Sequence, residues 1–156
     1  FNGAVSFNGD ISGWDVCKVT TMRSMFQCAI SFDVDISGWD VSKVSNMSFM
    51  FARAVSFNGN ISGWDVSNVT DMSYMFNGYI EGQEAVSAFN GDISKWNVSK
   101  VTTMEAMFQH AVSFNGDISG WDVSKVTNME DMFTDCPLPE EYKPAFEDLS
   151  DTSGDD

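Results

Sequence analysis

Aspartates recur in this sequence at equivalent points of a repeating unit. Asp10, Asp35, Asp92 and Asp117 form one column, completed by Asn60, and Asp15, Asp40, Asp65 and Asp122 form a second, completed by Asn97. Carboxylate oxygens brought together by stacking are hard ligands of the kind calcium takes, so Asp10, Asp35, Asp92 and Asp117 are candidate calcium ligands. Two carboxylates about 5 Å apart repel by roughly 3 kcal/mol at an effective dielectric of about 20. Compensation can come from N–H groups at turns, from the lysine column Lys18, Lys43, Lys100 and Lys125, or from calcium held between layers. Hydrogen-bonded turns with lysine partners are the expected answer and calcium is the alternative. No other cofactor is indicated.

Catalytic chemistry has little to work with. The single histidine, His110, stands where other units carry Cys28, Arg53 and Gly78, which marks a variable surface position rather than a base in a fixed constellation. A Gly-rich phosphate loop, a GxSxG elbow and a Cys–His pairing are all missing from the sequence. Cys17, Cys28 and Cys136 are too few and too irregular for a disulfide framework or a zinc site. Paired acids of the glycosidase kind would give a polysaccharide-cleaving enzyme, but an active site is unique within its chain and these acids are copied into every unit. The expectation is a protein that is not an enzyme.

The elements that position these residues follow from the repeat. Trp14, Trp39, Trp64, Trp96 and Trp121 are spaced 25, 25, 32 and 25 residues apart, a period of 25 with one insertion of seven. Such a period signals units that bury their apolar side only by stacking on neighbours. Units start near residues 7, 32, 57, 89 and 114, residues 1–136 form the repeat region, and the insertion falls at about 78–84. Phe1 to Phe7 repeats the spacing of Phe26 to Phe32, so the segment opens on the end of a preceding unit and reads as part of a longer protein. Residues 137–149, with Leu138, Tyr142 and Phe146, are expected to cap the core, and residues 150–156 to form an acidic tail.

Within a unit, the Ile118 region between Gly and Ser turn signals predicts a strand of three or four residues that pairs in register with the next unit. Val126, Met129, Met132 and Phe133 make one stripe of a short helix, and Thr102 with Glu105 and Thr127 with Glu130 have capping-box spacing. The predicted fold is thus an α/β repeat solenoid, leucine-rich-repeat-like, with about five coils of a short parallel-sheet strand plus a short helix. The Asn-Gly pairs at 8–9, 58–59, 90–91 and 115–116 suggest corners at positive φ. The ten methionines and the tryptophan column read as core. The insertion would leave the stack as a loop, with Tyr79, Ile80, Glu81 and Gln83 as candidate interaction residues.

The formal charge of −15 repels phosphate backbones and anionic headgroups, so nucleic acid is not an expected partner. No apolar run is long enough for a membrane helix, so direct membrane insertion of this segment is not expected.

The unit from Met107 to Met129, MFQHAVSFNGDISGWDVSKVTNM, resembles the repeats of roughly 25 residues first catalogued in mycoplasma lipoproteins, distant relatives of the BspA-like leucine-rich repeats. The resemblance covers about residues 1–136. It implies a leucine-rich-repeat-like solenoid on secreted or surface proteins, used for adhesion or assembly, with no catalytic residues to carry over. The function expected is a non-enzymatic protein-interaction or adhesion module, extracellular or at the cell surface, with a protein or glycan partner. The alternative is a structural accessory or scaffolding subunit in a large complex, in an organelle or lumenal assembly.

Overall fold

The computed structural model describes residues 1–79, 82 and 87–146. The repeats stack as layered coils, but the coils are built from turns. Among the described residues the one helix is a 3-10 turn, Glu140–Tyr142, and strand pairing is limited to isolated parallel bridges that link Thr21, Asn46, Asp71, Thr103 and Asn128 from coil to coil. The α/β, leucine-rich-repeat-like solenoid expected from the sequence is therefore not what forms. The Ile–Ser–Gly–Trp segment closes a β-turn instead of a strand, with Trp39 N–H donating to Ile36 O at 3.1 Å, and the bridges lie in the half expected to be helical.

Two features of that half exclude a helix. Ser24, Phe49, Tyr74, Ala106 and Asp131, equivalent across five coils, adopt φ between 49° and 58°, and Cys28, Arg53, His110 and Asp135 lie between 55° and 60°. Left-handed residues at this spacing break an α-helix. The main-chain donors are also divided. In coil 1 the N–H groups of Met25, Gln27 and Ala29 close turns within the coil, onto Met22, Ser24 and Phe26. Those of Met22, Ser24, Phe26 and Cys28 cross to the carbonyls of Asn46, Ser48, Met50 and Ala52 in the next coil at 2.8 to 2.9 Å. The Thr–Glu pairs cap nothing: Thr102 and Thr127 donate their hydroxyls to Thr70 O and Thr102 O one coil below.

The expected apolar columns do form the core. Met47, Met50, Met72, Met75, Met104 and Met107 are wholly buried, and Trp39, Trp64, Trp96 and Trp121 keep only 4 to 5% of their surface, whereas Trp14 in the first full coil is 48% exposed. Each buried indole donates Nε1–H at 3.1 Å to an isoleucine carbonyl of the coil below, from Trp39 to Ile11 through Trp121 to Ile93. Beside them run two phenylalanine files. Phe26, Phe51, Phe76, Phe108 and Phe133 follow one another at 5.6 to 5.9 Å, and Phe32, Phe57, Phe89 and Phe114 at 5.7 to 6.1 Å.

The corners also differ from expectation. Gly59 of the Asn-Gly pair is not at positive φ; a Cβ there would lie 2.8 Å from the ring of Phe57, so the glycine is needed for close approach. The asparagine beside it links layers, since Asn58 Oδ1 accepts the N–H of Asn90 at 2.9 Å and Asn8, Asp33 and Asn90 act likewise.

Two substitutions test this architecture. Trp64→Phe removes one of the two donors to the carbonyl of Ile36, leaving the Trp39 N–H, and should destabilise by about 0.5–1.5 kcal/mol in chemical denaturation, while Trp14→Phe should cost much less. Ser24→Val forces a β-branched residue to positive φ and should cost about 1–3 kcal/mol, whereas Ser24→Gly should lose nothing.

Candidate functional site

The aspartate columns are explained by local chemistry. Asp10 Oδ1 accepts both the N–H of Ser12 at 2.9 Å and its hydroxyl at 2.7 Å, and Asp92 and Asp117 hold Ser94 and Ser119 in the same way. Asp35 takes the N–H of Ser37 at 2.9 Å. Asn60 replaces the aspartate in coil 3 and makes the same pair of bonds to Ser62, so the column requires a side-chain carbonyl oxygen and not a charge. Asp40, Asp122 and Asn97 repeat the arrangement with Ser42, Ser124 and Ser99. The expected lysine partners do not reach them: among the described residues the ion pairs are His110–Asp135 and Lys143–Glu140. Nor do three or more metal-ligating side chains converge among the described residues.

These bonds favour the ionised carboxyls. The hydroxyl and then the N–H of the serine two residues on hold Asp10, Asp35, Asp40, Asp65, Asp92, Asp117 and Asp122 below the ordinary value of 3.8, and Cys17 does so for Asp15.

A different part of the surface has the makings of a recognition site. It is formed by the left-handed turns, where residues change from coil to coil while the rest of the unit is copied. Successive coils carry Arg23, Ser48, Ser73, Glu105 and Glu130 at one position, Ser24, Phe49, Tyr74, Ala106 and Asp131 at the next, and Cys28, Arg53, Gly78, His110 and Asp135 at a third. Both arginines of the chain and its histidine lie here.

The variable side chains contact one another along the stack axis. Arg23 sits 5.7 Å over the ring of Phe49, which stacks on Tyr74 at 4.5 Å, and the Tyr74 hydroxyl donates to Glu105 at 2.5 Å. The Glu105 carboxylate, followed by burial, pushes the Tyr74 phenol up to about 12. In a second file Arg53 Nε donates to the carbonyl of Tyr79 at 2.7 Å, Tyr79 faces His110 at 5.0 Å, and His110 Nε2 lies 3.4 Å from Asp135. Between the files is a hollow of about 170 Å³ lined by Gln27, Phe49, Arg53, Tyr74, Asn77 and Gln109, among others.

Of the predicted loop residues, Tyr79 is 42% exposed at the edge of this face, while Ile80, Glu81 and Gln83 lie outside the described residues. Gly78 enters the insertion where a Cβ would stand 2.4 Å from His110 O, so only glycine fits and the stack runs on undisturbed. Phe49, Tyr74 and Arg23 escaped the sequence reading, which met Arg53 and His110 only as occupants of a variable surface position; the signal for all of them was the departure from repetition at these columns.

The class is clear from this geometry: a stacked-coil repeat protein whose coils are made of turns. The chain belongs to the family described as "Mycoplasma protein of unknown function, DUF285", whose model matches residues 1–88 and 83–141. No curated protein and no solved structure matches it.

Acid provides the test of the aspartate turns. A carboxyl whose value is lowered by folding contributes stability above its ordinary value and loses it as pH falls through the folded one. The melting temperature should therefore be level from pH 7 down to about 4.5 and fall below about 4. The variant combining D10N, D35N, D92N and D117N, which copies the natural Asn60, should fold at pH 7 and show a shallower acid fall. Thermal melts across pH would refute the account if the two acid limbs coincide.

Proposed function

We propose that this chain is a non-enzymatic interaction or adhesion module, displayed at the cell surface or outside the cell, that binds a protein partner through the variable face of its left-handed turns. The observation that supports this reading is the concentration of coil-to-coil variation on that face. A residue that serves only the stack gains nothing from differing between layers, and the core and aspartate columns scarcely differ. The face gathers the aromatic and arginine side chains that dominate binding energies at interfaces. The resemblance of the repeats to those of surface lipoproteins supports the location, and the reading takes them as distant sequence kin of the BspA-like repeats. The module works without a cofactor in this reading, so melting temperatures with calcium and with chelator should agree.

The experiment compares binding of the wild-type chain and of a face variant carrying Phe49→Ser, Arg53→Ala and Tyr79→Ser to a panel of surface and extracellular-matrix proteins. Loss of these three side chains should weaken a bound member by ~30-fold or more. The D10N variant, altered in a copied column, should bind as wild type. Equal binding by the face variant, with its melting temperature intact, would exclude this face.

A further inference from the structure

The last coil presents a row of main-chain donors with nothing described above it. In each of the four lower coils, four N–H groups at alternate residues donate to carbonyls of the next coil, as those of Met104, Ala106, Phe108 and His110 donate to Asn128, Glu130, Met132 and Thr134 at 2.8 to 3.0 Å. Their counterparts in coil 5 belong to Met129, Asp131, Phe133 and Asp135, and among the described residues none of these has an acceptor. The C-terminal segment covers a different part of the end: Leu138 is buried, and the carbonyl of Tyr142 accepts the N–H of Ile118 at 3.0 Å. Alongside the donor row runs a groove of about 710 Å³ lined by Met129, Asp131, Phe133, Glu140, Lys143 and Phe146, among others.

We propose that this groove takes a basic peptide segment of a partner protein as one further layer, following the turn path of the coils below, with alternate carbonyls of the peptide accepting the N–H groups of Met129, Asp131, Phe133 and Asp135. The backbone sets the first requirement. Four lower layers show what these donors bind: carbonyls at two-residue intervals on a chain that turns through left-handed residues, as at Phe49 and Arg53, so the peptide must turn likewise. Successive N–H groups around left-handed residues also form concavities that favour negatively polarised atoms. Charge sets the second requirement, because Glu130 and Asp131 are exposed on the last coil without an ion-pair partner among the described residues, while Asp135 pairs with His110 and Glu140 with Lys143. Lysine or arginine side chains leaving the peptide would meet Glu130 and Asp131.

The same features disfavour two other occupants. A second copy stacked end to end would bring its residues 1–6, which lie one layer below its first coil through the Gly3 N–H to Gln27 O bond, into the space of Phe133–Leu138. Residues 147–156 of the chain itself carry Glu147, Asp148, Asp151, Asp155 and Asp156, and would add negative charge to a negative rim. The proposal does not rest on the variable face and stands or falls separately from it.

The test is amide hydrogen exchange of the full chain, read residue by residue by NMR. The probe is an octapeptide of alternating lysine and valine. With the peptide at about ten times its Kd, exchange at Met129, Asp131, Phe133 and Asp135 should slow by about tenfold, whereas alternating glutamate and valine should leave it unchanged. The F49S, R53A and Y79S changes should leave the protection intact. Unchanged exchange, or equal slowing by an octapeptide of alternating lysine and proline that carries the same charge but, with φ fixed at proline and the preceding residue held extended, cannot follow those turns, would overturn the proposal. Amides already slow without peptide and released by truncation after Phe146 would overturn it as well, by naming the chain's own tail as the occupant.

Discussion

Everything in this molecule depends on how the main-chain hydrogen bonds of the turn half are divided between layers. A coil of 25 residues made only of turns cannot satisfy its own backbone, and buried unpaired N–H groups are costly. Here odd and even donors have separate duties: one set closes turns and the other set crosses to the next coil. The division goes with left-handed residues at Ser24 and Cys28 and at all their counterparts but Gly78, since a right-handed run would bring all donors back inside a helix. It also explains which residues stand there. Ser, Phe, Tyr, Ala and Asp, then Cys, Arg, His and Asp, are unbranched at Cβ, and branched side chains tolerate positive φ worst.

The side-chain ladders make this backbone arrangement specific in register. The indole of each buried tryptophan, the amide oxygen of Asn8, Asn58 and Asn90, and the hydroxyls of Ser45, Thr70, Thr102 and Thr127 each bond to a fixed atom one layer away. A slip of one residue would break all of them together. The insertion after Gly78 survives because it leaves these positions untouched: Met72 still donates to Thr103, and Trp96 still finds Ile61.

The sequence told which side chains would be buried far better than it told the backbone that buries them. The stripe Met22, Met25, Phe26 and Ala29 has the i, i+3, i+4, i+7 spacing of a helix, and those residues do face the core. Two successive four-residue turns, Met22 to Met25 and Phe26 to Ala29, present the same side chains with the same spacing, so periodicity alone does not separate them. The deciding fact was the left-handed residue in each turn, held mostly by non-glycine residues and therefore invisible to glycine counting. Asn-Gly pairs pointed to positive φ at the wrong corner because the glycine there answers to the ring of Phe57. The aspartate columns were legible, down to hydrogen-bonded turns as their explanation, but the lysines drawn in as partners were not needed once serine followed two residues later.

The division of donors also fixes what a coil can vary. A left-handed turn position contributes its backbone to the layer, so Ser24, Phe49 and Tyr74 can differ in side chain without disturbing an inter-coil main-chain bond. The same polarity makes the two ends of the stack unlike. The four alternate N–H groups of each turn half that cross between coils look toward the C-terminal end and the carbonyls that answer them look back, so the last coil keeps donors and the first keeps acceptors. Side-chain charge runs against that backbone polarity, with Arg23 in the first coil and Glu130, Asp131 and Asp135 in the last. A partner segment at the last coil must therefore satisfy backbone donors and acidic side chains at once. A main chain flanked by cationic side chains meets both demands, and an isolated anion meets only the first.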